Sequence, residues 1–102
     1  MVGTPDADTL DGTAADNKIY GIGGNDTING LAGQDEIYGG AGEDEITGGD
    51  DSDTLRGQEG EDRLYGGLGD DELVGGPDVD YLYGGLGNDD LSGKGDEDQL
   101  FG

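Results

Sequence analysis

Aliphatic side chains return once every nine residues along this chain: Leu10, Ile19, Ile28, Ile37, Ile46, Leu55, Leu64, Leu73, Leu82, Leu91 and Leu100. Each is the middle of a three-residue stretch such as Glu72-Leu73-Val74 or Tyr81-Leu82-Tyr83. Alternation places such a stretch outside, inside, outside, which is a minimal strand with one buried aliphatic. The six residues between stretches are rich in Gly and Asp, both tolerant of positive φ, and read as turn. Glycine density and the lack of a 3.6-residue period exclude helix.

Two further registers run in phase with the first. Glycine fills position 3 and every ninth position from there to Gly102, twelve in succession. A carboxylate register holds Asp8, then Asn17, then Asp26, Asp35, Asp44, Asp53, Asp62, Asp71, Asp80, Asp89 and Asp98. Residues 3–101 are therefore eleven consecutive nonapeptides with no linker, which predicts a single domain over 1–102. Low complexity would explain the composition but not three registers in phase.

A three-residue strand cannot bury its leucine alone. Two repeats per circuit let alternate strands face each other across a thin core, with circuits stacked at about 4.8 Å. The predicted fold is all-β, a parallel solenoid of 18 residues per coil and five and a half coils, about 26 Å long. One aliphatic in nine residues is little to set against the entropy of ordering so glycine-rich a chain. The turns must supply cohesion of another kind.

Charge says which kind. Asp and Glu number 26 against 4 Lys and Arg, a formal net charge of −22. Such a surface repels nucleic acid and anionic membrane and attracts cations. There is no cysteine for disulfides or thiolate sites, and no histidine, the commonest general base and transition-metal ligand. No apolar run approaches a membrane span, and the first residues lack the apolar core of a secretory signal, so any export signal is expected to be of another type or outside this segment. Stacking repeats n and n+2 brings Asp26 near Asp44, Asp44 near Asp62, and Asp71 near Asp89. Paired carboxylates beside glycine carbonyls make a hard, all-oxygen cage, which favours Ca²⁺ over the stricter octahedral Mg²⁺.

The repeats GGAGEDEIT (39–47) and GGLGNDDLS (84–92) match Gly-Gly-x-Gly-x-Asp-x-aliphatic-x at every fixed position. The chain thus resembles the RTX (repeats-in-toxin) nonapeptide family over 99 of its 102 residues. The resemblance implies a right-handed parallel β-roll with Ca²⁺ between stacked turns. It implies ligation by the second and fourth carbonyls and the aspartate of one turn, with the first and third carbonyls and the aspartate of the turn 18 residues on. Carried over, Ile22 and Gly24 with Asp26 face Gly39 and Ala41 with Asp44; Gly40 and Gly42 with Asp44 face Gly57 and Glu59 with Asp62. On the other edge, Gly49 and Asp51 with Asp53 face Gly66 and Leu68 with Asp71; Gly67 and Gly69 with Asp71 face Gly84 and Leu86 with Asp89. Asp8, Asp35, Asp80 and Asp98 are expected to ligate in the same way. Stacked pairs number nine at most, and nine ions would bring −22 close to neutrality.

Departures from the pattern carry expectations too. Repeat two, GTAADNKIY (12–20), has Ala15 and Asn17 where Gly and Asp are expected, so the Asn17–Asp35 site should be weakest and residues 3–20 a degenerate cap. Asp6, Asp51, Asp78 and Asp96 replace the fourth-position glycine of the turn, their carbonyls remaining usable and their side chains adding field. The last repeat ends at Phe101-Gly102 without a polar cap, which implies an excised or engineered array, or an end that self-associates or meets other domains of a larger parent protein.

Outward residues admit other readings. Tyr20 and Tyr38 on one face, and Tyr65, Tyr83 and Phe101 on the other, form ladders that either dock a sugar or protein or, more simply, stack on each other. Thr9, Thr27, Thr47 and Thr54 are too scattered for an ice-binding array. Carboxylate pairs invite a glycosidase, or a lyase using Arg56 or Arg63, but so thin a roll implies no enclosed pocket, and no enzyme is expected. The reading is a calcium-binding module, disordered at submicromolar Ca²⁺ and rolled near millimolar. Family resemblance adds type I secretion from Gram-negative cells and an extracellular location, with Ca²⁺-dependent adhesion as the alternative.

Overall fold

Where one repeat meets the next, the pattern Asp-x-aliphatic-x-Gly alternates inward and outward without interruption. Asp62, Leu64 and Gly66 are buried while Arg63 is exposed and Tyr65 half-buried between them. The computed structural model describes residues 1–95 and 97–102, so the expectation for Asp96 lies outside the described residues.

All the regular structure among them is strand: β1 (Thr9–Asp11), β2 (Lys18–Tyr20), β3 (Thr27–Leu31), β4 (Glu36–Ala41), β5 (Glu45–Gly49), β6 (Thr54–Glu59), β7 (Arg63–Leu68), β8 (Glu72–Val74), β9 (Tyr81–Leu86), β10 (Asp90–Ser92) and β11 (Gln99–Phe101). Odd strands form one sheet, β1-β3-β5-β7-β9-β11, and even strands the other, β10-β8-β6-β4-β2. Every pairing is parallel and in 18-residue register, for example Ile46 with Leu64 and Leu64 with Leu82. The result is a β-solenoid of about five turns, 18 residues each, measuring 30 × 30 × 13 Å.

Two details differ from the sequence reading. Six of the strands, β3 to β7 and β9, are five or six residues long rather than three. The extra residues come from the following repeat, because backbone pairing continues through the glycines, as in Gly40 with Gln58 and Ala41 with Glu59. Second, the aliphatic register is not buried throughout. Eight members, Ile19 to Leu82, are fully buried; Leu10 and Leu91 pack partly against them; Leu100 is 47% exposed. A circuit at either end is covered from one side only. At the first end, Val2 bridges Tyr20 and Gly3 N–H donates to the Tyr20 carbonyl at 2.7 Å, so residues 1–3 lie along the edge of β2.

Candidate metal centre

Because Asp shares the inward phase of the aliphatic two residues later, its carboxylate enters the interior at the start of each strand. Seven of these aspartates, Asp26, Asp35, Asp44, Asp53, Asp62, Asp71 and Asp80, are at most 3% exposed. One edge of the roll stacks Asp8, Asp26, Asp44, Asp62, Asp80 and Asp98; the other stacks Asn17, Asp35, Asp53, Asp71 and Asp89. The stacks are bonded. Asp26 N–H donates to Asp44 Oδ1 and Asp44 N–H to Asp62 Oδ1, both at 2.8 Å. On the other edge Asp35 N–H donates to Asp53 Oδ1 and Asp53 N–H to Asp71 Oδ1, again at 2.8 Å. The same bond joins Asp62 to Asp80, Asp71 to Asp89 and Asp80 to Asp98.

One oxygen of each carboxylate is thus satisfied by the preceding circuit. The other is not: Oδ2 of Asp26, Asp35, Asp44, Asp53, Asp62, Asp71, Asp80 and Asp89 is buried and without a hydrogen-bond partner. These oxygens share their space with carbonyls. The point where a Cβ would stand on Gly30 is 2.5 Å from Asp35 Oδ2 and 2.6 Å from the Gly48 carbonyl oxygen. On Gly39 the corresponding distances are 2.5 Å to Asp44 Oδ2 and 2.8 Å to the Gly57 oxygen. On Gly66 they are 2.5 Å to Asp71 Oδ2 and 2.6 Å to the Gly84 oxygen. A carboxylate oxygen and the first carbonyl of the next circuit therefore converge with no donor between them. Buried anionic oxygen without a donor or cation is expensive, so the donor set fits a hard cation.

Of the other carbonyls named from the family pattern, second- and fourth-position ones lie against the turn 18 residues on, and the Ile22 carbonyl also accepts the Ala41 N–H at 3.0 Å. A Cβ on Gly40 would meet the Ile22 oxygen, one on Gly42 the Gly24 oxygen, one on Gly67 the Gly49 oxygen, and one on Gly69 the Asp51 oxygen. Second- and fourth-position carbonyls thus project along the stack toward the next turn. Left-handed backbone aims them, and where glycine is missing the chain adopts it regardless: φ is 82° at Ile22, 72° at Asp51, 74° at Gln58 and 75° at Asp78. The Asp51 and Asp78 side chains turn away from the gap and accept the Gly33 and Gly60 N–H groups at 3.0 Å.

Sequence reading missed a second set of brackets outside this gap. Asp16, Asn25, Ser52 and Asp70 accept the backbone N–H of Gln34, Glu43, Asp70 and Asn88, each 18 residues on. Their preference for capping nearby amides was the available signal.

Burial drives the carboxyl groups upward in pKa. It pushes Asp62 up to about 8, Asp53 and Asp80 to about 7, and Asp44 and Asp71 to about 6; the amide bonded to each opposes this in part, and neighbouring carboxylates reinforce it. Asp26 and Asp35 move the same way. The stacks resist full ionisation unless a cation is supplied. Among the described residues no three acidic side chains cluster as a metal site by themselves, so backbone carbonyls must complete any coordination.

Arg56, Arg63 and the stacked aromatic side chains lie on the sheet faces. Arg56 pairs with Glu72 at 3.3 Å, and Arg63 lies 5.5 Å from the Tyr81 ring centre. Tyr20 stacks on Tyr38 at 5.1 Å, Tyr65 on Tyr83 at 4.9 Å and Tyr83 on Phe101 at 4.8 Å, within 7° of parallel. Facing rings cover one another, so the π-surface a sugar would need is occupied along most of each ladder.

The family model described as RTX calcium-binding nonapeptide repeat (4 copies) matches at residues 2–37, 20–55, 38–73, 47–82 and 65–100. No curated protein and no solved structure matches the chain.

Proposed function

Because the chain belongs to the RTX calcium-binding nonapeptide repeat family, a structural calcium-binding repeat rather than an enzyme family, we propose that it is a calcium-responsive folding module of a secreted protein. Bound Ca²⁺ supplies the positive charge that buried, donor-less oxygens lack. The ligands are Oδ2 of the lower aspartate with the second and fourth carbonyls of its turn, and the first and third carbonyls of the turn above, whose aspartate brackets the pair through Oδ1. In one such gap these are Ile22, Gly24 and Asp26 below, with Gly39, Ala41 and Asp44 above; in another, Gly49, Asp51 and Asp53 below, with Gly66, Leu68 and Asp71 above. Nine stacked pairs set the upper bound on ions.

The observation that carries this reading is the row of eight buried Oδ2 atoms without a donor, set against carbonyl oxygens of the next circuit. With net charge −22 and so thin a core, the metal-free chain stays unfolded where free Ca²⁺ is submicromolar, and rolls up outside the cell where Ca²⁺ is near the 10⁻⁴–10⁻³ M range typical of extracellular modules. Unfolded passage through a type I exporter followed by folding outside suits that behaviour, to the benefit of whatever domains the array accompanies. Far-ultraviolet circular dichroism during a calcium titration, with magnesium as control, tests it. The expected result is a steep, cooperative gain of strand signal with Ca²⁺ alone; full strand content after exhaustive chelation would overturn the reading.

A further inference from the structure

Two of the nine stacked pairs are already filled from within the chain. In repeat one, Thr4 N–H donates to Asp8 Oδ2 at 2.6 Å and the Thr4 hydroxyl lies 3.0 Å from the same oxygen. The Asp6 N–H in turn donates to Thr4 Oγ1 at 3.2 Å. Repeat two repeats the arrangement with a neutral side chain: Thr13 N–H donates to Asn17 Oδ1 at 2.8 Å, and Ala15 N–H and Asn17 Nδ2 donate to Thr13 Oγ1 at 3.1 and 3.2 Å. Oδ2 of Asp8 is therefore saturated, whereas the same atom in Asp26, and in every aspartate of the register from there to Asp89, has no donor.

The backbone agrees. Among the described residues of later repeats the second and fourth positions adopt left-handed φ, 98° and 114° at Gly40 and Gly42, and 82° even at Ile22. Thr4, Asp6, Thr13 and Ala15 do not. Their peptide planes are not rotated as those that aim carbonyls into the gap above. Both features remove ligands from the lower half of a site: the carboxylate oxygen is spent on a threonine, and the turn lacks the conformation that points its carbonyls along the stack. The upper half of each gap is intact, since Asp26 and Asp35 still accept the Asp8 and Asn17 N–H groups at 2.8 Å. Stacking of the first circuit thus uses the amide bond common to all circuits, without the cation.

We propose that the Asp8–Asp26 and Asn17–Asp35 pairs hold no ion, and that Thr4 and Thr13 close the first circuit as a metal-independent cap above which seven pairs, Asp26–Asp44 to Asp80–Asp98, load calcium. This rests on the calcium reading above. The test counts ions per chain by native mass spectrometry at saturating Ca²⁺. The parent is compared with a chain whose first two turns are converted to the pattern of the later ones: Thr4→Gly, Asp6→Gly, Thr13→Gly, Ala15→Gly and Asn17→Asp. The expected result is no more than seven ions in the parent and a gain of two on conversion, one per edge. A second variant, Thr4→Val with Thr13→Val, should leave the ion count unchanged while hydrogen exchange at the amides of β1 and β2 quickens several-fold. A parent count of nine, a gain of fewer than two, or unchanged exchange overturns the cap. Absence of bound ions from both parent and converted chain instead overturns the calcium reading itself.

Discussion

Gly39 illustrates what the twelve-fold glycine register is for. None of the first-position glycines has positive φ; left-handed backbone belongs to the second and fourth positions of the turn, with Gly95 at a third position the exception among the described residues. What the first position needs is room. A methyl group there would occupy the space shared by Asp44 Oδ2 and the Gly57 carbonyl, which are 2.5 and 2.8 Å from where its carbon would stand. Both neighbours are fixed, the carboxylate by the Asp26 N–H and the carbonyl by its sheet. Gly39→Ala is therefore expected to displace the ligands and destabilise the calcium-saturated roll by about 2 kcal/mol or more. Urea unfolding in excess Ca²⁺ would measure this. The same change at Gly102, which has nothing within 4 Å of its Cβ position, should leave the urea midpoint unmoved.

At the level of the strand, cohesion comes from two sources that can be separated. Inside, the aliphatics of β7 and β9 pair in register; outside, Tyr83 is held between Tyr65 and Phe101. The aromatic stack lies on the sheet face and contributes none of the proposed ligands. Tyr83→Ala should cost about 1–2 kcal/mol of calcium-saturated stability, the worth of two stacking contacts with some lost area, and leave the number of bound ions as it was. Denaturation and native mass spectrometry on the same sample would check both halves. A fall in ion number would mean that strand and turn are coupled more tightly than their separation implies.

For the whole molecule, the metal-free fold and its calcium complex should respond to acid in opposite directions. In the metal-free roll, burial raises Asp62 to about 8 and Asp53 and Asp80 to about 7, above an unfolded carboxylate near 4. Between those values the folded chain holds protons that the unfolded chain has released. Metal-free stability is therefore greatest below about pH 4 and declines as pH rises toward 8. Protons also relieve part of the −22 charge. A chelated sample should gain strand signal when brought from pH 8 to pH 4, whereas calcium affinity should weaken over the same interval as protons compete for the carboxylates. Circular dichroism with and without chelator, across pH, would distinguish the two trends.

The nine-residue period was sufficient to read the coil, because a solenoid's long-range contacts are its local pattern displaced by a constant 18 residues. For the same reason Asp26 and Asp44, or Leu64 and Leu82, could be paired before any coordinates. Orientation was another matter. The turn positions read alike in the sequence, but tertiary structure decided that aspartate begins the inward phase and that its Oδ2 goes unpartnered. Packing between circuits likewise decided that Ile22 and Asp51 take the left-handed backbone of glycine. The first circuit shows the difference most clearly. Asp8 looks like every other aspartate in its register, and only the folded position of Thr4 determines that its carboxylate is already satisfied. A repeat specifies which groups must meet; what lies within hydrogen-bond reach once they have met depends on the side chains that the repeat leaves free to vary.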